Sequence, residues 1–522
     1  MEKTLNAFFD AGTAGEAGLI TMINAGLNPL ITGLEYDSRR IKPGNLYFAL
    51  PGLHADGRSF VPDAVRQGAA AVLYQGELAA YRPDIVYIKV KDSRFAMSPA
   101  AAAFYGFPSR RLGVIGVTGT EGKSTTVYLI WQLLKLAGKR AGFISTVQFS
   151  PGGGAQWNPE HQTTPEAPAV HRLLAEMVSA GTEYAVLEAS SHGLSPRTNR
   201  LGDVAFDAAV MTNVTHEHLE FHGTWEQYRN DKANLFRSLN RFSHDKFKDA
   251  AVPSFGVINA GDKSAAYFSA AAKRRCYTYS AAEDAGADLC LLSIESGAGG
   301  NRCEVRIGAT GKQVSIRDQL PGAFNAGNVL AALLTVSALL GKPVEELIPL
   351  VPSLKPVRGR MTAVSRGQPF EVLVDYAHTP SSFETIFPPL RRRISGGRII
   401  SLFGSAGERD TGKRLQQGRI AAEWSDCIIL TDEDPRGEEP MAVLKEIAAG
   451  IETGKRRWRE GENLFLIPDR TAAVRRALSL ARPGDLVLLL GKGHENSIIY
   501  SKETRPYDEI GEAEKALAEL GF

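Results

Sequence analysis

The chain is poor in cysteine and has no long apolar runs or excess of either charge. Its four cysteines, Cys276, Cys290, Cys303 and Cys427, include no C-x-x-C pair, which argues against a zinc knuckle or a disulfide framework. No apolar run reaches the roughly 18 residues that a membrane-crossing helix needs. The first thirty residues carry Glu2, Asp10 and Glu16 without a long apolar core, so no signal peptide is expected and the reading is a cytoplasmic protein. A net charge of +2 advertises neither a nucleic-acid nor a membrane surface. The basic clusters Arg391-Arg392-Arg393 and Lys455-Arg456-Arg457 read as solvated faces. No internal repeat or low-complexity tract is present. What remains is ordinary globular composition, 43% hydrophobic and 23% charged over 522 residues, long enough for roughly three domains with separate cores.

Three blocks follow from the pattern of short apolar runs. Residues 1–110 hold Ala70-Ala71-Val72-Leu73-Tyr74, Ile85 to Val90 and the turn Lys42-Pro43-Gly44-Asn45, a small α/β domain. Residues 111–350 alternate strands (Ala185 to Glu188, Ala208 to Thr212, Gly256 to Asn259) with helical stretches, which argues for a mostly parallel, helix-covered sheet. Within that block Asp288 to Ile316 reads as a β-rich insert with Gly-rich turns. Lys355 to Arg360 looks like a linker. Residues 351–522 repeat the α/β alternation with runs at Phe370–Asp375, Arg398–Phe403, Ile428–Thr431 and Leu486–Leu490. In open α/β sheets ligands sit beyond the carboxyl ends of the strands.

The densest chemistry lies in Val114-Ile115-Gly116-Val117-Thr118-Gly119-Thr120-Glu121-Gly122-Lys123-Ser124-Thr125-Thr126. A β-branched run empties into glycines, a lysine and hydroxyls, and an apolar helix follows. Glycines let backbone N–H groups approach phosphate oxygens, the helix end favours the anion, and Lys123 adds a point charge. Ser124 or Thr125 can hold Mg²⁺. Val117 stands where the longer phosphate-loop pattern has its first glycine, so the fit is to the shorter G-x-x-G-K-[ST]. Two strand ends add to it. Glu188-Ala189-Ser190-Ser191-His192 and Thr212-Asn213-Val214-Thr215-His216-Glu217-His218 bring a carboxylate, hydroxyls and histidines to the same edge. Hard cations take such oxygen ligands and keep waters; an isolated histidine, by contrast, is more often a satisfied structural one.

These motifs, followed by Phe324-Asn325-Ala326-Gly327-Asn328, Gly359-Arg360-Met361, Val374-Asp375-Tyr376-Ala377-His378-Thr379-Pro380 and Gly491-Lys492-Gly493-His494-Glu495, resemble in order those of the Mur ligase family, and within it the UDP-N-acetylmuramoyl-tripeptide synthetase (MurE) type. The likeness covers nearly the whole chain. It implies three α/β domains: a UDP-substrate-binding domain (1–110), a central domain with a P-loop mononucleotide-binding parallel sheet (111–350) and a C-terminal Rossmann-like, amino-acid-binding domain (351–522). It implies ATP phosphorylating the D-glutamyl carboxylate of UDP-N-acetylmuramoyl-L-alanyl-D-glutamate, and a diamino acid displacing phosphate from the acyl phosphate to form an amide, in peptidoglycan precursor synthesis. That chemistry asks for positioning and charge neutralisation more than for covalent catalysis.

The resemblance also implies roles. Gly119, Thr120, Glu121, Gly122, Lys123, Ser124 and Thr125 would cradle ATP, with Asn325, Arg360, Asp375 and His378 as further contacts. Ser124 would bind one Mg²⁺, and Glu188 with His218 a second. Lys232, in Tyr228-Arg229-Asn230-Asp231-Lys232, stands where the family carries a CO₂-derived carbamate, which would help hold the second Mg²⁺. Lys123, Lys232, Glu188 and His218 would be catalytic. Tyr36 and Ser38, beside Asp37 and Arg39 in a block that resembles the uridine-binding domain, would meet the UDP substrate, as would Gln162, Thr163, Thr164 and Ser190. Arg409, Glu433, Asp434, Pro435, Arg436, Gly491 and Glu495 would meet the acceptor.

Three departures accompany the match. Seven residues separate His192 from Arg200, two more than usual, so Arg197 or Arg200 takes the substrate-arginine role. Residues 239–252 read as a polar insertion without a function. Glu433-Asp434-Pro435-Arg436 has two acids where the pattern has an acid and an amide. Arg436 could pair bidentately with a second carboxylate, as diaminopimelate demands, while two acids suit a terminal ammonium, as in lysine or ornithine; a plain surface loop is the bland alternative. The rival functions are a folylpolyglutamate synthase-like ligase and a non-catalytic nucleotide-binding regulator. The Asp37-Ser38-Arg39 block argues against the first; intact Lys123, Glu188, His218 and Lys232 argue against the second. No nucleic acid or membrane is expected as a partner.

Overall fold

The structure, a computed structural model, describes residues 2–52, 56–158, 162–215, 219–247, 251–282, 286–297, 300–394, 396–452 and 457–522. Two compact units make up the chain. One holds Met1–Ser280, Gly286–Asp288 and Leu330–Leu347; the other holds Ala281–Ala285, Leu289–Val329 and Ile348–Phe522. No single helix among the described residues is long and apolar enough to cross a membrane.

Among the described residues the first unit contains two large sheets and a two-stranded pairing of Lys3–Thr4 with Leu30–Ile31. Strands β1 (Leu19–Ile23), β2 (Gly33–Glu35), β3 (Asn45–Ala49), β4 (Ala71–Tyr74) and β5 (Val86–Val90) lie in the order β1-β5-β4-β3-β2, parallel except for β1. Helix α1 (Ser93–Phe104) packs on this sheet through Ala96, Met97, Ala100 and Ala103, all buried. Its N-terminus is closed by Asp92, whose carboxylate accepts the amides of Arg94 and Phe95.

The second sheet is built from β6 (Gly113–Thr118), β7 (Ala141–Ile144), β8 (Tyr184–Glu188), β9 (Ala208–Met211), β10 (Phe255–Asn259) and β11 (Cys276–Ser280) in the parallel order β7-β8-β6-β9-β10-β11. Every residue of β6, β8 and β9 is buried, as expected of parallel strands covered on both faces, and this is why they read as unbroken apolar runs. Helices α2 (Lys123–Leu136), α3 (Ala167–Ser179) and α4 (Trp225–Ser238) cover it. A Cβ at Gly116 would stand 2.4 Å from Leu235 Cδ1 and 2.9 Å from Phe206, so the missing side chain lets α4 lie tightly on the strand that feeds the phosphate loop.

The polar stretch 239–252 has a structural role. His244 Nδ1 and Lys246 Nζ reach the two oxygens of the buried Asp207 at 2.7 and 2.6 Å. The same carboxylate accepts the amide of Val114 at 2.7 Å. The described part of the insertion thus seats the first residues of β6 through His244 and Lys246, while Arg241 and Asp245 stay exposed.

In the second unit, β12 (Leu289–Gly297), β13 (Gly300–Ile307) and β14 (Gln313–Arg317) give the expected β-rich insert the form of an antiparallel meander; helix α5 (Asn325–Leu340) follows and is divided between the units after Val329. Strands β15 (Glu371–Asp375), β16 (Ile399–Phe403), β17 (Cys427–Leu430), β18 (Leu464–Leu466) and β19 (Leu486–Leu490) make a parallel sheet in the order β15-β19-β16-β17-β18, with Thr362–Ala363 as an antiparallel edge. Phe383, Phe387, Ile420, Val443 and Ile447 pack on one face and Val474, Ala477, Ile510 and Leu517 on the other, the doubly wound arrangement expected from the repeated strand and helix pattern.

Candidate active site

The register of the central sheet decides what meets the phosphate loop. Glu188 pairs with Val117 and Met211 with Thr118, so the loop leaves its strand flanked by the carboxyl ends of both neighbours. Gly119 sits at φ 156°, where a Cβ would stand 1.8 Å from Thr212 Oγ1; only glycine fits. Gly122, at φ 82°, opens α2. The Thr120 amide donates to Asn213 O (2.8 Å), the Glu121 amide to Asn213 Oδ1 (2.9 Å), and Thr212 Oγ1 to Glu121 O (2.6 Å). Thr212-Asn213 therefore braces the loop, and the sequence reading that grouped them with a metal shell missed this. Lys123 Nζ donates to Thr120 O at 2.7 Å, keeping its charge on the loop.

Beside it Ser124 and Glu188 touch. Ser124 Oγ donates to Glu188 Oε1 and Oε2 at 3.1 and 2.9 Å. Thr146, at the end of β7, adds its amide (2.9 Å) and hydroxyl (3.0 Å) to Glu188 Oε2. A buried carboxylate with a serine hydroxyl at a helix start is a hard-oxygen pair of the kind Mg²⁺ takes together with phosphate oxygens and waters. His218, with His216 and Glu217, lies outside the described residues. Among the described residues no group of three or more His, Cys, Asp or Glu is arranged so that it could hold a metal ion.

Helix α4 brings Lys232 to the same loop. The buried Lys232 donates through Nζ to Gly119 O at 2.6 Å and lies 4.4 Å from the ring centre of Tyr228, whose hydroxyl is 3.0 Å from Thr120 Oγ1. The adjacent Asp231 pairs with His222 Nδ1 at 2.8 Å. Lys232 is therefore not a solvated lysine on a helix surface.

A second cluster lies past Glu188. Thr164 Oγ1 donates to Glu188 O (3.0 Å) and contacts Ser190 Oγ (2.9 Å). Arg200 donates to Thr164 O and pairs with Glu166, both at 2.8 Å. Arg94 of α1 reaches the same Glu166 oxygen at 3.4 Å. Arg197 is exposed and turns elsewhere, with Nη1 on Phe221 O at 2.6 Å. Gln162 and Thr163 are half-buried just before this cluster. In the first sheet Asp37 forms an ion pair with the exposed Arg39 at 2.7 Å and caps the turn that holds Ser38, beside the half-buried Tyr36.

The second unit carries the remaining candidates. Asn325 donates to Pro321 O (2.7 Å) and accepts from Asn328 (2.9 Å). Asp375 accepts the amides of Met361 and Ala377, both at 2.7 Å. Burial raises its pKa against the opposing pull of Arg360 and those amides. The Arg360 guanidinium lies 4.6 Å from the Tyr376 ring centre, and His378 Nδ1 is 2.9 Å from Tyr376 O.

The Glu433–Arg436 segment is not a surface loop: Asp432, Glu433 and Asp434 are all buried. Its acids are not equivalent either. Asp434 accepts from Lys492 Nζ and from the Ile499 amide, both at 2.9 Å, and Lys492 also holds Glu495 at 2.6 Å. Burial disfavours the Lys492 charge, yet Glu495 and Asp434 outweigh it and its pKa is raised. The expectation of two acids facing an ammonium therefore fails for Asp434, whose charge is already matched by Lys492. Glu433 Oε2 is buried with no hydrogen-bond partner and faces Gly491. Arg436, at φ 54°, ties its amide to Ile499 O at 2.9 Å, and its Nε is buried without a partner. The Gly407 amide donates to Asp434 O (2.8 Å), so the loop with the exposed Arg409 lies directly against Asp434-Pro435. Asp432, buried beside Tyr500, has its pKa pushed up to about 6.

Sequence reasoning missed Thr146, which lies outside every quoted motif, Glu166, two residues past Thr164, and the pairing of His222 with Asp231, as well as Lys492 and Tyr376. The last two sit inside quoted motifs, so the signal was present.

Three domain models match the chain: "Mur ligase family, catalytic domain" over residues 30–105, "Mur ligase middle domain" over 117–336 and "Mur ligase, glutamate ligase domain" over 359–493. The UDP-N-acetylmuramyl-tripeptide synthetase of Treponema denticola is 51% identical over 510 residues, 94% of each chain. The UDP-N-acetylmuramoyl-L-alanyl-D-glutamate--2,6-diaminopimelate ligase of Geobacillus kaustophilus is 37% identical over 502 residues, 96% of this chain and 97% of that one. A solved structure of a ligase of the latter name aligns with a TM-score of 0.60 at 27% identity, covering 94% of this chain and 96% of the other.

Proposed function

Because the chain belongs to the Mur ligase family, we propose that it is an ATP-dependent ligase of peptidoglycan precursor synthesis that joins a diamino acid to UDP-N-acetylmuramoyl-L-alanyl-D-glutamate through an acyl phosphate. The observation that carries this reading is the contact of Ser124 with Glu188 beside Lys123 and the Gly119 turn. A carboxylate is a poor electrophile until it is phosphorylated, and this corner is built to hold phosphates rather than to attack.

In this reading residues 1–110 hold the uridine end through Tyr36 and Ser38, 111–350 hold ATP, and 351–522 hold the acceptor. Gly119 to Thr125 present amides and the Lys123 ammonium to the phosphates. Ser124, Glu188 and His218 would hold Mg²⁺, which when bound neutralises phosphate charge. Arg200 rather than Arg197 takes the substrate-arginine role, because Arg200 joins Thr164 and Ser190; Gln162 and Thr163 precede that cluster. Lys232 carries the carbamate: its amine adds to CO₂ with loss of a proton, and the one N–H left on Nζ can still donate to Gly119 O. Asn325, Arg360, Asp375 and His378 complete the nucleotide contacts. Glu433 and Glu495 face the acceptor's ammonium, Arg409 and Arg436 its carboxylates, and Pro435 and Gly491 shape the seat.

The test supplies ATP, the UDP-muramoyl dipeptide and equal meso-diaminopimelate, L-lysine and L-ornithine, and follows phosphate release and product mass. One adduct of the UDP substrate is expected. Phosphate release that ignores the UDP substrate, or turnover of a folate with glutamate, overturns the reading. For the carbamate, Lys232→Ala should be inactive and partly restored by formate or acetate; wild-type turnover in that variant would remove it.

A further inference from the structure

We propose that Tyr376 is a two-ended positioning residue, its ring setting the nucleotide-side Arg360 and its hydroxyl setting the acceptor-side Glu495. The proposal rests on the assignment of Glu495 and Arg360 made above, and every group it uses lies in the second unit.

Tyr376 is the first residue beyond β15, immediately after the buried Asp375. The Arg360 guanidinium stands over its ring at 4.6 Å, and the rings of His378 and His494 approach at 4.6 and 4.7 Å. A guanidinium over an aromatic face is held by the ring quadrupole; because the Nε of Arg360 is buried without a hydrogen-bond partner, that face is a principal restraint on its direction. The far end of the same side chain donates to Glu495 Oε1 at 3.3 Å, while Lys492 takes Glu495 Oε2 at 2.6 Å. Lys492 in turn holds Asp434. Glu495 is thus gripped at both oxygens, by a cation that would draw it toward Asp434 and by a hydroxyl that draws it toward the nucleotide side.

The backbone enforces this arrangement. A Cβ at Gly493 would stand 2.8 Å from Tyr376 Cα and Cβ, and one at Gly359 would stand 2.3 Å from the His494 amide nitrogen. The Gly491–Glu495 turn therefore packs against Tyr376 and Gly359 with no side chain between them. One rigid phenol spans the short gap between the two groups of residues, and the two ends can be removed separately.

The experiment varies one substrate at a time in a phosphate-release assay, with the acceptor that turns over best among meso-diaminopimelate, L-lysine and L-ornithine. The variants are Tyr376→Phe, Tyr376→Leu, Glu495→Gln and the double variant Tyr376→Phe/Glu495→Gln, with melting temperature as the control for folding. Tyr376→Phe keeps the ring and should raise the acceptor KM about ten-fold, the scale of a lost hydrogen bond to a charged group, with the ATP KM unchanged. Tyr376→Leu removes both ends and should raise both KM values. The double variant should be no worse than Glu495→Gln alone. An unchanged acceptor KM in Tyr376→Phe, an equal rise in both KM values in that variant, or additive effects in the double variant overturns the proposal. Glu495→Gln separates the two failures: an unchanged acceptor KM there sinks the acceptor assignment itself, whereas a raised one with an inert Tyr376→Phe sinks only the role of Tyr376.

Discussion

Glu188→Gln isolates charge from shape at the phosphate loop. The Glu188 carboxylate is buried and takes four donor contacts: Ser124 Oγ at 2.9 and 3.1 Å, and the Thr146 amide and hydroxyl at 2.9 and 3.0 Å. Glutamine keeps the volume. Its amide oxygen can replace Oε2 and hold both Thr146 donors, while its NH₂ donates to Ser124, whose hydroxyl then accepts. The fold should survive, with the melting temperature shifted by a few degrees at most. What disappears is a full negative charge next to Ser124. Removing one preorganised electrostatic group from a reacting centre costs about 10²–10³-fold in kcat. A companion variant, Thr146→Val, removes only one neutral donor and should cost about two- to ten-fold. Phosphate release gives kcat, and calorimetry with the UDP substrate should show unchanged binding in both variants. Glu188→Gln turning over within ten-fold of wild type, or Thr146→Val proving the worse of the two, would refute the role assigned to this carboxylate.

Other outcomes follow from the same geometry. Lys246→Met leaves the buried Asp207 without its lysine, which should cost about 3–5 kcal/mol of stability; the melting temperature should fall clearly and be partly restored by adding Asp207→Asn. The buried His171 has neither ring nitrogen hydrogen-bonded, and burial lowers its pKa from 6.5 to about 3. The folded state therefore binds the neutral form, and the stability contributed above pH 6.5 is lost as pH falls from 6.5 toward 3, by up to about 5 kcal/mol; His171→Leu should flatten that part of the melting-temperature profile, and an unchanged slope would contradict the burial argument. Asp434→Asn should leave the ratio of kcat/KM values between diaminopimelate and lysine within about two-fold, since Lys492 already matches that charge, whereas Glu433→Gln should weaken the ammonium-bearing acceptor by about ten-fold or more. A large ratio shift in Asp434→Asn alone would show that Lys492 does not screen it.

Much of this protein was legible in the linear chain because local rules and tertiary structure agree there. Strands buried on both faces must be nearly all apolar, so Gly113–Thr118, Tyr184–Glu188 and Leu486–Leu490 announce themselves. Phosphate chemistry needs glycines, a lysine and a hydroxyl within one turn, so the loop and its helix are visible as a string. The acidic strand end at Glu188 and the lysine at Lys232 were marked by neighbouring motifs. Pairing across the fold was not legible, because it depends on register and on helix seating that no short window contains. Only the alignment of Glu188 with Val117 puts its carboxylate on Ser124 and Thr146. Only the approach of α4 to Gly116 buries Lys232 on Gly119. The different partners of Arg200 and Arg197 depend on Glu166 and the Phe221 carbonyl, and the unlike fates of Glu433 and Asp434 needed Lys492, 58 positions beyond Asp434. The sequence by itself determined which chemical groups are present and the strands and helices that carry them; the tertiary structure decided which charges are matched and which are left to face a substrate, because a charge's partner is set by distance in space and burial removes the water that would otherwise mask the difference.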